Sequence, residues 1–459
     1  MQRRRSCRRF WWSLGMNEKE QIVPIRSLIE GCWPGEWGTD PSGDDGNCVV
    51  FRATDIDSDG HLNFEGGASR HVLPTKLKAK SLKRGDIILE ASGGAPDKPV
   101  GRVALVDQHP RQPSLTSNFF RFMRPVESID ARFLSFQLVA LNKSSEIWRY
   151  QQQTTGLINL KVDDYLDHKV WRPSKVHQQK IADILTRIND TIEKTEALIE
   201  KYQQIKAGLM HDLFTRGVLP DGKLRPTREQ APELYRETGI GFLPKEWTVE
   251  KLENLLAPVA HNMRSGPFGS ALLKHELVEN GIPFLGIDNV HVERFVPDFK
   301  RFVSRRKFEQ LAKYKVRPGD VVITIMGTVG RCCVIPSALV EALSSKHLWT
   351  MTFDEEKVIP ELVCWQLNHA AWAQAWFRRA MQGGIMDAIQ SNTLKTLMLP
   401  VPSPDEQKLI HGRYDAISRR IGTAVEQLDK LRLEKNGLMH DLLTGKVAVK
   451  VDEAQEEHV

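Results

Sequence analysis

The chain has 459 residues, enough for two or three ordinary domains, and its 41% hydrophobic and 27% charged content is that of a globular protein able to bury real cores. No apolar run approaches the roughly eighteen residues of a membrane span, and six cysteines without a CxxC pair argue for reduced thiols rather than a disulfide framework or zinc site. A cytoplasmic location is expected. The net charge of +6 does not by itself mark a nucleic-acid binder, because residues 1–15 carry five arginines and no acid, leaving +1 for the remainder.

In chain order, residues 1–16 form an arginine-rich leader ending at Met16, after which MNEKEQIVPIRSLIE reads as an ordinary domain start. The leader is expected to precede the true start; the other reading is a basic arm for phosphates. Residues 17–172 carry short β-branched runs bounded by Gly, Pro and Asp (CVVFRATDI, RGDIILE, GRVALV), the pattern of a mixed, β-rich domain. A long helix is expected over 173–216. Residues 217–245 lack a helix or strand period and read as a Pro- and charge-rich linker. A second β-rich domain (GIPFLGIDNV, PGDVVITIMG, GRCCVI) is expected over 246–401, a second long helix over 402–444, and a polar tail over 445–459.

The two helices are copies. Pro173 to Val218 aligns without a gap to Pro402 to Val447, 229 positions on, with 16 identities in 46 positions, including GLMHDL at both ends. Ser403, Pro404 and Glu406 predict the second start: a serine cap, proline where no donor is lost, and a carboxylate positioned to bond back. The first stripe is read as Ile181, Ile184, Ile188, Thr191, Leu198, Tyr202, Ile205 and Leu209, with Thr195 interrupting. The second is read as Ile410, Tyr414, Ile417, Ile421, Ala424, Leu428, Leu431 and Leu438, broken by Lys435. About 40 residues make a rod of about 60 Å, ended by Gly217 and Gly445. One apolar stripe must be buried, and the copy is the expected partner, in an antiparallel pair. The flanking domains are also related, through Gly85-Asp86 with Gly319-Asp320 and Gly101-Arg102 with Gly330-Arg331. The expected fold is α+β: two β-rich mixed domains separated by two long antiparallel coiled-coil helices, in an internal pseudo-twofold repeat.

The unit closing on GIMDAIQSNTLKTLMLPVPSPDEQ before a long helix, the RSGPFG turn at 264–269 and KVRPGDVVITIMGTVGRCCVIP at 315–336 resemble the DNA-specificity (S) subunit of type I restriction-modification systems. The first copy departs from that pattern: GLINLKVDDYLDHKVWRPSKVHQQ lacks the proline and glutamate before its helix, and WPGEWG stands for the RSGPFG form. The resemblance implies a non-catalytic subunit with two target-recognition domains reading a bipartite, non-palindromic DNA site, the helices acting as spacer. It implies two modification (methyltransferase) subunits docked on the helices and restriction (translocase-nuclease) subunits beyond. Cofactors would be absent from this chain; S-adenosylmethionine, ATP and magnesium would sit on the partners, with no membrane involved.

Two other classes compete. A self-contained nuclease or methyltransferase lacks support, since there is no GxxxxGK[ST] loop, and Asp298 with Glu355, Glu356 and Lys357 is only a loose PD…ExK pattern. A coiled-coil scaffold without DNA would not need two divergent domains. For base and phosphate contacts the residue types required are Arg, Asn, Gln, Lys, Ser and Thr on loops and strand ends. These select Arg52, Thr54, Ser92, Lys98, Arg102 and Asn118 in the first domain and Arg264, Ser265, Asn289, Thr324, Arg331, Lys346 and His347 in the second, with Thr328 beside them in the MGTVGR turn. His211, Asp212, His440 and Asp441 read as partner-docking rather than metal-binding, because two ligands from one helix turn do not close a zinc site.

Overall fold

The computed structural model describes residues 21–41, 46–94, 98–154, 157–381 and 389–451. The leader through Met16, most of the closing GIMDAIQ segment, part of the ASGGAPDKP loop and the end of the polar tail lie outside the described residues. The chain divides into two compact units, one holding residues up to Ala197 together with those from Glu426 on, the other Leu198–Val425. Each unit therefore joins one sheet domain, the near half of its own following helix and half of the other helix. This differs from the sequence-based partition, in which each helix is a separate segment.

The units repeat one sheet. In the first, an antiparallel four-stranded sheet runs Ile29–Pro34, Phe120–Pro125, Ile87–Glu90, Val103–Leu105; in the second the same order is Met263–Ser265, Leu348–Met351, Val321–Thr324, Cys332–Val334. The central strands IILE and VVIT are buried at every position, which explains their unbroken apolar character. Alternation still decides where each side chain goes: Ile87 and Leu89 pack with Leu134, Leu138, Ile181 and Leu442, whereas Ile88 packs with Phe51, Phe120 and Phe122. Likewise Val321 and Ile323 meet Val363 and Leu367, while Val322 meets Leu285 and Ala342.

Entry and exit of each domain are stitched together. Gln21–Pro24 pairs with Lys169–Arg172, and Thr248–Lys251 with Met398–Val401, so the strand leading into each long helix is fixed by the domain's own start. Three side-chain bonds then recur 229 positions apart. Gln137 and Gln366 donate to the Trp171 and Pro400 carbonyls (2.8 and 3.2 Å). Gln178 and Gln407 donate to those of Pro173 and Pro402 (2.9 and 3.0 Å), and accept from the Asp130 and Ile359 amides (2.9 Å each). These conserved attachments fasten helix to domain twice over.

The helices span Lys175–Thr215 and Pro404–Leu443 and stop at Gly217 and Gly445, both left-handed (φ 67° and 70°), which glycine adopts without steric cost. Within each unit the helical segments run antiparallel: Glu196 pairs with Arg432 (2.7 Å) and Leu185 packs with Leu442 in the first, and Val218 reaches Glu406 while Lys206 lies over the Tyr414 ring in the second. The seam differs from the expected stripe. Thr195 is buried in it with Ile181, Leu185, Ile188, Ile192 and Ile199, whereas Thr191, Leu198 and Ile205 face out. Lys435 is likewise buried in the seam, bonded to Asp59 at 3.2 Å.

Two local expectations are also corrected. Ser403 accepts from the Glu406 amide (3.4 Å), but the Glu406 carboxylate does not bond back. It is buried against Arg225, the Trp247 indole N–H (3.0 Å) and the Val218 amide (2.8 Å). Residues 217–245, read as an unpatterned linker, form a bridge between Val218 and Leu224 and a hairpin of Tyr235–Thr238 with Gly241–Pro244, and contribute Val218 and Leu243 to a core.

Candidate nucleic-acid interface

Three loops converge at one end of each four-stranded sheet. In the second unit they are the glycine turn 264–269, the segment 345–347 leading into Leu348–Met351, and the turn 325–331 between Val321–Thr324 and Cys332–Val334. The Gly266 amide donates to the Ser345 carbonyl (3.2 Å), the Ser265 hydroxyl to that of Lys346 (3.2 Å), and the Ile325 amide to that of His347 (3.0 Å). A β-carbon on Gly266 would collide with the Ser344 carbonyl and the Ser345 backbone, so the close approach requires glycine.

The first unit builds the same mouth from different residues. The Gly35 amide donates to the Phe120 carbonyl (2.9 Å), and a β-carbon there would strike the Thr116 and Ser117 carbonyls. The Ala91 and Ser92 amides both donate to the Phe119 carbonyl (2.8 and 3.0 Å). WPGEWG is thus the structural counterpart of RSGPFG, down to the left-handed closing glycines Gly38 and Gly269. The departure noted in sequence is one of residue type, not geometry.

This mouth gathers Ser92, Lys98, Arg102 and Asn118 in one unit, and Ser265, Thr324, Arg331, Lys346 and His347 in the other. Many of the chosen donors are nonetheless already used inside the fold. Arg264, 4% exposed, is bonded to Asp320, the Lys315 carbonyl (2.6 Å), the His261 carbonyl (3.0 Å) and Thr352 (2.9 Å). Asn289 is buried, accepting from the Gly286 amide and donating to the Val296 and Asp298 carbonyls. Arg102 holds Glu90 through two bonds (3.0 and 2.7 Å) and the Ile56 carbonyl. Arg52 caps its own turn through Asp55, Ser92 bonds Asn159, and the Thr324 hydroxyl closes the turn onto Thr328 and Arg331. These bonds shape the loops; Arg264, Asn289 and Thr324 are buried by them, whereas Arg52 stays exposed and Ser92 and Arg102 half-buried.

What faces outward is a smaller set. Arg52, Thr54, Lys98, Asn118 and Lys346 are exposed, and Arg331 and His347 half-buried. The Asn118 amide oxygen accepts from the Trp37 backbone amide (3.0 Å). Burial, with Lys346 and Arg301 nearby, pushes the His347 imidazole below its usual value and favours the neutral ring, one nitrogen donating and the other accepting. The sequence reading missed Phe268 (62% exposed), Phe119 (50%) and the Arg301–Asp288 pair; a phenylalanine between glycines in GPFG was the available signal for the first.

The helix-end pairs lie in different units. His211 is exposed beside the buried Met210 and Leu213, and Asp212 bonds Arg216 (3.1 Å); His440 is exposed beside Met439 and Leu442, and Asp441 pairs with Lys446 (3.4 Å). Among the described residues no group of three or more His, Cys, Asp or Glu could hold a metal ion, and Asp298 pairs with Lys300 while Lys357 pairs with Asp354. No helix among them is long and apolar enough to cross a membrane.

A family model described as a type I restriction modification DNA specificity domain matches residues 44–204, the copy with the looser motifs. The type I restriction enzyme MjaVIII specificity subunit of Methanocaldococcus jannaschii is 22% identical over 340 residues, 73% of this chain and 75% of that one. The putative MjaX specificity subunit of the same organism is 23% identical over 352 residues, 76% of each chain. The crystal structure of an S subunit from M. genitalium has the same fold at 14% identity, with a TM-score of 0.55 over 94% of this chain and 98% of that one. Duplicated sheet domains, paired long helices and these matches define a DNA-specificity protein of the restriction-modification class. Residues 44–204 match that family, and the chain as a whole is similar to the specificity subunits of type I restriction-modification systems.

Proposed function

We propose that the chain selects a bipartite, non-palindromic DNA site, one half-site per unit, and directs methyltransferase and nuclease subunits to it without catalysing a reaction itself. The observation that carries this reading is the pair of loop mouths, each closed by a glycine turn at the same end of the same sheet, with Lys98 and Asn118 presented by one and Arg331, Lys346 and His347 by the other. Equal frames with unequal side chains suit two different half-sites, where identical subunits would read a palindrome. The specificity-subunit relatives support the assignment of DNA and of modification and restriction subunits as partners. S-adenosylmethionine, ATP and magnesium then belong to those partners, and the complex works in the cytoplasm.

The test mixes the chain and its modification partner with random duplex pools at one salt concentration, since phosphate contacts make affinity steeply salt-dependent. Enrichment of a two-part motif is expected; no enrichment, with or without the partner, sinks the proposal. His211 and His440 are proposed docking residues, their near-identical settings suiting two copies of one partner. Substituting both by alanine is expected to weaken co-purification of the modification subunit while leaving the methylated sequence unchanged. A changed motif with assembly intact would reverse that assignment.

A further inference from the structure

We propose that Phe268 and Phe119 make base-level apolar contacts with duplex DNA, one in each half-site, and so contribute to specificity alongside the polar side chains around them. The inference rests on the DNA-reading function above and names residues that function did not require. Phe268 stands 62% exposed at the tip of the glycine turn, and Phe119 is 50% exposed in the segment entering the second sheet strand. Folding gains little from a ring left in water, and a large exposed apolar group is the informative exception on a surface.

Neither ring sits on a floppy tip. Phe268 follows the turn locked by Gly266 against Ser344 and Ser345, and the carbonyl of Phe119 accepts two amides, from Ala91 and Ser92. The surroundings fit a polyanion better than a protein partner. Exposed Lys346 is tied to the Phe268 turn through the Ser265 hydroxyl, which donates to its carbonyl, and in the first unit Lys98 is carried by the loop that follows Ser92. Cations beside the ring would hold the phosphates, while the ring meets a thymine methyl or wedges at a base step, contacts apolar side chains make in DNA grooves. A ring cannot neutralise a phosphate, so its contribution is independent of salt.

The test uses the complete complex with its modification subunits and three chains: wild type, Phe268→Ala and Phe119→Ala. Affinity for the cognate duplex is expected to fall about tenfold in each variant, within the range for one base contact. Affinity for a scrambled duplex and the slope of affinity against salt should stay unchanged. The methylated motif should lose stringency in one half-site for Phe268→Ala and in the other for Phe119→Ala. Phe268→Leu, which keeps an apolar group, should recover most of the loss. Unaltered cognate affinity and motif in both alanine variants would overturn the proposal, as would loss of the modification subunit with DNA preference retained. A wild-type complex without sequence preference would instead refute the underlying function.

Discussion

Replacing Arg264 with alanine is expected to cost about 3–5 kcal/mol of stability, because it strands a buried carboxylate, and to leave the recognised bases unchanged wherever the chain still folds. Asp320 is fully buried and Arg264 nearly so. Burial pushes the Asp320 carboxyl up and the Arg264 guanidinium down, so their mutual attraction and their hydrogen bonds sustain the ionised pair. The carboxylate also accepts from the Arg317 amide (2.6 Å) and the Thr352 hydroxyl (2.5 Å), which joins the turn before the central strand to the strands beside it. With the guanidinium gone, four polar groups lose a partner at once: Asp320, Thr352 and the Lys315 and His261 carbonyls.

The first unit solves the same problem differently: Asp86, in the equivalent turn, is held by Arg124 through two bonds of 2.8 Å. Arg124 is 24% exposed, and its removal should cost less. Urea denaturation followed by two spectroscopic probes measures the loss, and sequencing of methylated sites in cells expressing each variant reads the specificity. Arg264→Met with Asp320→Leu should restore much of the stability, as apolar replacement of buried ion pairs often does. A stable Arg264→Ala chain with an altered motif would return this arginine to base recognition.

That reversal shows where the sequence stops being informative. Helix lengths, the closing glycines and the buried central strands follow from local pattern, since caps, φ preferences and apolar runs act over a few residues. The seam register does not. Thr195 and Lys435 look like interruptions because a stripe is judged by polarity, yet Lys435 is buried by Asp59, 376 positions away. Leu198 and Ile205, apolar but 40% and 46% exposed, complete the inversion. Base-reading candidates divide into buried and exposed for a related reason. The donors that suit guanine or adenine are the same donors that buried acceptors need, and whether Arg264 or Asn289 is free depends on partners the sequence does not mark. Phe119 and Phe268 escape in the opposite direction: apolar residues are assigned to the core by default.

Two helix lysines, one buried and one half-buried, form a second repeated device. Lys206 and Lys435 occupy matching positions 229 residues apart, one in each helix, and each is met by an acid from the sheet domain of its unit. Lys435 meets Asp59, which Lys143 also holds; Lys206 meets Glu293 at 2.7 Å. Glu293 is the more heavily committed, accepting also from Tyr414 and His369, and its backbone is left-handed at φ 58°, a conformation glutamate rarely adopts. Burial opposes its ionisation, but bonds from His369, Lys206 and Tyr414 outweigh it and hold the carboxyl at about 2, against 4.5 unperturbed.

Because the folded value lies below the unfolded one, the contribution is present above pH 4.5 and is lost as pH falls towards 2. The shift corresponds to roughly 3 kcal/mol at neutral pH. Glu293→Gln should therefore lower stability at pH 7 by about 2–3 kcal/mol and flatten the acid limb of the stability profile, so that the two chains converge near pH 2. Lys206→Met added to Glu293→Gln should cost less than the sum of the single changes, since both remove one shared contact. Denaturant midpoints taken from pH 7 to pH 2 decide the matter. Parallel acid limbs for wild type and Glu293→Gln would mean that this carboxylate does not fasten the second sheet domain to the helix beneath it.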